Sequence, residues 1–318
     1  MKILIGLDPR SLHTSMPWEL ARRFQEIDAE LHWVFAGDSS LADHYTVNGD
    51  FLAYPADQQL HEQQYAGKIL FRSSQTLFSL ARFAAWIWRL QPASYDLVLL
   101  QHGTALSRLF QLRQFRTITL GTWSENLPTG GVALPPIVDT RLRPRNVSNP
   151  YTMVYLPGVP LSEIEAILDR VEDRKFVVYT HDQPVCNHPN ICVRQFEHAR
   201  FREDLRGAST VICQPEFGLV AECLHMGIPL LIEPKSGQQE QQETAITLHK
   251  AGLVHSTRKL TPMLISLWLD SAPRPPVVHW PEVVPMIIEA ISDSNKTYES
   301  LHRRSTLCWN NLPINLSE

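Results

Sequence analysis

Residues Ser209–Gly252 read STVICQPEFGLVAECLHMGIPLLIEPKSGQQEQQETAITLHKAG, and the order of apolar runs and turns in this stretch decides the fold class. Val211–Cys213 has the length and apolarity of a short buried strand, and the turn-like Gln214–Gly218 follows it. A helix comes next, with Leu219, Val220, Cys223 and Leu224 on its apolar side. Gly227 ends that helix, Pro229 follows, and Leu230–Ile232 reads as the next strand. The loop Glu233–Gly237 then leads into a helix with a polar opening at Gln238–Glu243. Two successive strand–loop–helix crossings place Gly218, Glu222 and Gln238–Gln241 near the carboxyl ends of adjacent parallel strands. Open α/β sheets bind their ligands there.

The same alternation extends in both directions. Lys2–Leu7 is a buried-strand pattern, Asp8–Met16 a loop, and Pro17 to about Asp28 a helix. Its proline suits the first turn, where a missing N–H costs no hydrogen bond. Leu31–Ala36, Tyr95–Leu100 and Thr117–Leu120 read as further strands. Helices are expected over Ser73–Leu90 and from about Thr104 to Arg113. In the second half Thr152–Leu156, Phe176–Tyr179 and Ile191–Arg194 are strands, Leu161–Val171 a helix, and Val283–Ser292 the one helix expected in the tail. Strands alternating with helices imply parallel sheets. The stretch 126–150, rich in Pro, Gly and Arg, places the interdomain connection within Leu142–Pro150. The expected domains are therefore 1–145 and 151–318, with the option that a C-terminal helix packs back on the first. A cleft is expected between them.

At 318 residues the chain exceeds what one core usually serves. A formal charge of -4 gives no reason to expect a nucleic-acid partner. No window is apolar for long enough to span a membrane, and MKILIGLDPR is too short an apolar run for a signal peptide. The five cysteines form no C-x-x-C pair, and two of them lie in apolar runs, which favours reduced thiols and a cytoplasmic location. Cys186, His188 and Cys192 lack a fourth ligand for zinc, and nothing fixes the mutual distances of Asp8, His13 and His102, so no metal site is expected. The first strand is not followed by G-x-G-x-x-G, which argues against a dinucleotide-dependent dehydrogenase.

Phe217-Gly218, Glu222, Gly227-Ile228-Pro229 and Pro234 followed by Glu240-Gln241 together resemble the nucleotide-sugar glycosyltransferases of the MurG-like group. FREDLRGASTVI at 201–212 and MVYLP at 153–157 add to the resemblance, which is strongest over 153–252. It implies an α/β chain of two facing Rossmann-like domains, the GT-B type. It also implies a nucleoside-diphosphate sugar as co-substrate, a UDP-sugar as first choice, and transfer with inversion that needs no metal or other cofactor. Relatives carry a small residue where Glu216 stands, a hydroxyl residue where Leu219 stands, and a glycine-rich first loop. Here that loop is Asp8-Pro9-Arg10-Ser11-Leu12-His13.

On that resemblance Gly218 leaves room for phosphate oxygens, Glu222 accepts ribose hydroxyls, and Glu240 and Gln241 hold the donor sugar. Glu222 also has a structural reading, as the partner of a nearby arginine or helix end, because a lone carboxylate on an apolar helix is costly to bury. His13 is the candidate general base, since an acceptor hydroxyl must lose its proton as the new bond forms. Asp8 orients it or does the same work. His102 and Arg10 are candidates for the acceptor side. The stretch 69–90 mixes Phe and Trp with Arg, as would a core helix with snorkelling arginines or a peripheral contact with the inner face of a membrane. The second case would suit a lipid-linked acceptor. The acceptor itself is not legible. A sugar-nucleotide epimerase or phosphorylase, and a non-catalytic sugar-nucleotide or glycan-binding protein derived from the same fold, stay open beside the transferase.

Overall fold

The computed structural model describes residues 1–7, 14–36, 50–54, 94–101, 118–120, 123, 132–145, 150–180, 188–292 and 298–312. In chain order the elements are β1 (Lys2–Leu7), α1 (Met16–Gln25), β2 (Glu30–Ala36), β3 (Asp50–Tyr54), β4 (Leu97–Gln101), β5 (Ile118–Leu120), β6 (Val132–Ala133) and β7 (Thr152–Tyr155). Then come α2 (Leu161–Leu168), β8 (Phe176–Thr180), β9 (Ile191–Gln195), α3 (His198–Gly207), β10 (Thr210–Cys213), α4 (Phe217–Met226) and β11 (Leu230–Ile232). The chain continues through α5 (Gln239–Lys250), β12 (His255–Ser256), α6 (Pro262–Ser271), α7 (Val283–Ser292) and α8 (Tyr298–Asn310). It divides into two compact units, residues 1–139 with 280–312, and residues 140–279.

In the first unit six parallel strands lie in the order β3-β2-β1-β4-β5-β6. β1 is buried along nearly its whole length, as a strand covered on both faces must be. Pro17 sits in the first turn of α1, and Arg22 pairs with Glu19 at 2.6 Å and with Glu26 at 3.1 Å along its surface. Ile3, Ile5, Leu20, Phe24 and Trp33 form the core together with Val283, Ile287 and Leu301 from the C-terminal helices. Burying side chains of this size contributes about 1.5–3 kcal/mol each. The polar end of the chain, of uncertain order in the sequence reading, holds α8. Its Ser305 and Trp309 both donate to the carbonyl of Ala133 on β6.

The second unit repeats the plan, with order β12-β11-β10-β7-β8-β9, again all parallel. Numbered within its own unit, each sheet runs 3-2-1-4-5-6, the doubly wound order in which the chain reverses direction between the first and fourth strands. Those pairs are β1/β4 in the first unit and β7/β10 in the second. The chain crosses at Asp139–Thr140, ahead of the Leu142–Pro150 connection read from the sequence. The reason is local: the Arg145 amide donates to the Arg206 carbonyl at 2.6 Å, and the Arg206 side chain donates to the Arg143 carbonyl. Residues 140–145 are thus held on the second unit.

Three side chains meet around Asp204 at the end of α3. Tyr179 donates to its carboxylate at 2.5 Å, Arg194 forms an ion pair with the same oxygen, and Tyr151 donates to its carbonyl at 2.7 Å. Burial and the Asp204 charge push the Tyr151 phenol up to about 12. This knot ties α3 to β8 and β9, the far side of the sheet from β11.

Candidate functional site

The reversal between β7 and β10 defines the binding edge of the second unit. The segments leaving the carboxyl ends of β7, β10 and β11 are Leu156–Pro160, Gln214–Phe217 and Glu233–Gln238. They are joined by the register of the strands and by the Glu233 amide donating to the Cys213 carbonyl at 3.0 Å. Gly158 has φ +84°, a left-handed conformation that favours glycine. The ammonium of Lys235 lies 3.5 Å from where a Cβ on Gly158 would stand. Lys235 leaves β11, and Gly158 leaves β7, so the lysine reaches across the end of the intervening β10.

Two helices begin at this edge. α4 starts at Phe217 and α5 at Gln239, and neither N-cap residue, Glu216 or Gln238, bonds its helix amides with its side chain. A helix start presents N–H groups and a partial positive charge, which together suit an anion. Gly218 lies in the first turn of α4 and has no left-handed φ. Gln214, directly after β10, is buried, and its Oε1 has no partner among the described residues.

Glu216 stands where a negative charge would repel a phosphate. Both of its carboxylate oxygens are shielded from solvent. Its charge is felt inside, at Cys213, whose thiol is pushed well up by burial first and by Glu216 second. The carboxylate is therefore turned inward and does not cap the mouth of α4.

Glu222 is 1 % exposed, and its Oε1 lies 3.6 Å from the Arg202 guanidinium, across α4 and α3. The arrangement matches the structural alternative, a carboxylate kept for a neighbouring arginine. Gln241 does reach the edge: its Oε1 accepts from the Lys235 amide at 2.8 Å, while the Lys235 carbonyl accepts from the Gln238 amide at 3.1 Å. Glu240 occupies the first turn of α5, and its side chain lies outside the described residues. Asp8, Arg10, His13, His102 and the stretch 69–90 lie outside them altogether. The segments carrying the first four nonetheless begin straight after Leu7 and Gln101, the ends of the reversing pair β1/β4.

Lys235 is the residue of this edge that sequence reasoning missed. Gly158 lines a cavity of about 130 Å³ together with Leu156, Ile164, Ile212, Glu233 and Lys259. Burial raises the Glu233 carboxyl, and Glu163 adds to this, whereas Lys259 opposes it. A larger concavity of about 610 Å³ opens at the opposite edge, beside Tyr151, Lys175 and Asn190 at the amino ends of the strands. We place the site at the carboxyl edge, because the helix starts and the chain reversal are there. Among the described residues no group of three or more His, Cys, Asp or Glu could hold a metal ion, and no helix is long and apolar enough to cross a membrane.

Residues 132–273 match the family profile described as Glycosyl transferase family 1. No curated protein matches the chain. Among solved structures, the calicheamicin glycosyltransferase CalG4 has a TM-score of 0.56 at 12 % identity, covering 97 % of this chain and 94 % of that one. The spinosyn rhamnosyltransferase SpnG complexed with thymidine diphosphate has a TM-score of 0.54 at 13 % identity, over 98 % and 97 % of the two chains. SsfS6, a glycosyltransferase of Streptomyces sp. SF2575, has a TM-score of 0.51 at 15 % identity, over 98 % and 97 %. These likenesses establish the fold, an α/β chain of two Rossmann-like domains of the GT-B type.

Proposed function

We propose that the chain is a glycosyltransferase that moves a sugar from a nucleoside-diphosphate donor to an acceptor hydroxyl. The observation that carries the reading is the carboxyl edge at β7/β10. Two helix starts without side-chain caps and a lysine ammonium converge there, within the residues that match the Glycosyl transferase family 1 profile. Such an edge suits a diphosphate. Thymidine diphosphate in the SpnG complex makes pyrimidine donors, UDP- and dTDP-sugars, the first to test. The spacing of Gly218, Glu222, Gly227, Pro229, Pro234 and Glu240-Gln241 supports a likeness to the MurG-like group.

Gly218, Glu240 and Gln241 belong to the donor side on this reading, and Glu222 holds α4 to α3 through Arg202. His13, oriented by Asp8, is the general base, and Arg10 and His102 serve the acceptor. Their support is topological, since they follow the reversing strands of the first sheet. In the transfer the acceptor oxygen bonds to C1 as the bond from C1 to the diphosphate oxygen breaks. The electron pair leaves on the phosphate, and the acceptor proton passes to the base. Direct attack inverts C1, and the helix starts steady the departing charge without a metal. A lipid-linked acceptor would fit a cytoplasmic protein in peripheral contact with a membrane through 69–90.

Calorimetry of the full chain with UDP-, GDP-, dTDP- and CMP-sugars tests the reading, followed by detection of released nucleoside diphosphate. Micromolar binding of one donor is the expected result. A folded protein that binds none of them overturns it.

A further inference from the structure

We propose that Lys235 supplies the cation that holds the donor's diphosphate and takes up the charge left on it when the sugar departs. This rests on the transferase reading of the same edge. The order β11-β10-β7 separates the origins of Lys235 and Gly158 by two strand spacings, roughly 10 Å. The ammonium nonetheless stands beside Gly158, so the side chain lies over the end of β10, where α4 begins.

Its backbone is fixed for that reach. The Lys235 amide donates to Gln241 and its carbonyl accepts from Gln238, while Gly237 turns the loop with φ +80°. The nearest acidic lining of the cavity does not consume the charge. Glu233 feels Glu163 and Lys259, and Lys235 has no carboxylate at ion-pair distance among the described residues. Gln214, buried and with its amide oxygen unpartnered among the described residues, leaves β10 below the lysine. The ammonium rests at van der Waals distance from the Gly158 position, and both Glu216 carboxylate oxygens are shielded from solvent.

The consequence is a division of labour within the donor. Lys235 recognises the diphosphate and is indifferent to the base. The test is calorimetric titration of the full chain and of Lys235→Gln and Lys235→Arg with UDP, dTDP, uridine and inorganic pyrophosphate, at three salt concentrations. A lost charge-assisted contact predicts about a 10- to 100-fold weaker binding of UDP or dTDP in Lys235→Gln. Uridine affinity should be unchanged, and Lys235→Arg should restore most of the loss. The salt dependence of diphosphate binding should flatten in Lys235→Gln. Lys235 is exposed, so the thermal midpoint should stay that of the wild type. If wild-type protein binds UDP or dTDP and Lys235→Gln binds it equally well, the lysine assignment falls and the transferase reading stands. If the wild type binds neither, both fall.

Discussion

Replacing Arg202 with leucine should destabilise the second unit by about 3 kcal/mol, because it strands a charge that the fold has removed from water. Glu222 is 1 % exposed and 3.6 Å from the guanidinium. At an effective dielectric of about 20 two unit charges at that separation attract by roughly 4–5 kcal/mol. Removing one member of a buried pair costs about 3–5 kcal/mol, since no solvent replaces the lost attraction around the remaining ion. The Arg202 side chain keeps 18 % of its surface exposed, which sets the expectation at the low end. With about 2–4 °C per kcal/mol for domains of 150–250 residues, the midpoint should fall by about 6–12 °C. Urea unfolding followed by circular dichroism measures the first figure and a thermal scan the second. Glu222→Gln should cost less, because the guanidinium it leaves behind is 18 % exposed and keeps contact with water. The double replacement Arg202→Leu with Glu222→Leu should recover part of the loss. The reasoning fails if Arg202→Leu stays within about 0.5 kcal/mol of wild type while Glu222→Gln folds normally and no longer binds a nucleotide sugar. The carboxylate would then belong to the ribose.

Gly227→Ala places a side chain at φ +67° and a Cβ 2.9 Å from Val277. A loss of about 1–2 kcal/mol from the left-handed conformation alone is expected in urea unfolding, with the contact adding to it. Tyr179→Phe removes the donor at 2.5 Å from Asp204 but leaves Arg194 in place, so a loss of about 1–3 kcal/mol is expected, and an unchanged midpoint would show the knot to be redundant. Burial lowers the His225 pKa, even though carbonyls of Val278 and Thr140 partly oppose it. A lowered histidine binds fewer protons folded than unfolded. Its contribution is therefore full above the unfolded value of about 6.5 and declines as pH falls toward the folded one. Urea midpoints should drop as pH falls below about 6.5, and His225→Gln should flatten that slope.

The alternation of short apolar runs with helical stripes was enough to read two parallel sheets. The buried strands Lys2–Leu7 and Leu230–Ile232 are apolar at nearly every position, which only a doubly covered strand tolerates. Gly227 could be read as a helix end because the left-handed C-cap favours glycine. The short strands β6 and β12, two residues each, carry no period to detect. α8 was missed because its face toward β6 uses Ser305 and Trp309, bonding to one carbonyl, so it has no continuous aliphatic stripe. Of the candidate residues, Gly218 lies in the first turn of α4 and Gln241 accepts from the Lys235 amide. Glu222 shows how a helix position alone leaves two readings open: the chain order says which turn it occupies, and only the packing of α3 against α4 says what it faces.

Lys235 makes the complementary case. Between Pro234 and Ser236 in a polar loop, a lysine reads as solvated surface, and no spacing rule separates it from its neighbours. Its significance comes from strand order. β7 and β11 are far apart along the chain and one strand apart in the sheet, so a side chain of ordinary length connects the first loop of the unit to its fifth. The doubly wound topology creates this geometry at every reversal, because it sends helices to opposite faces and leaves the strand ends uncovered. The two glycines with left-handed φ at this edge, Gly158 and Gly237, occur where the backbone must turn away from the opening. The edge sets two helix starts without side-chain caps beside an ammonium that has no carboxylate at ion-pair distance among the described residues. Helix starts and an ammonium favour an anion over a neutral ligand, and that is the physical ground on which the diphosphate proposal rests.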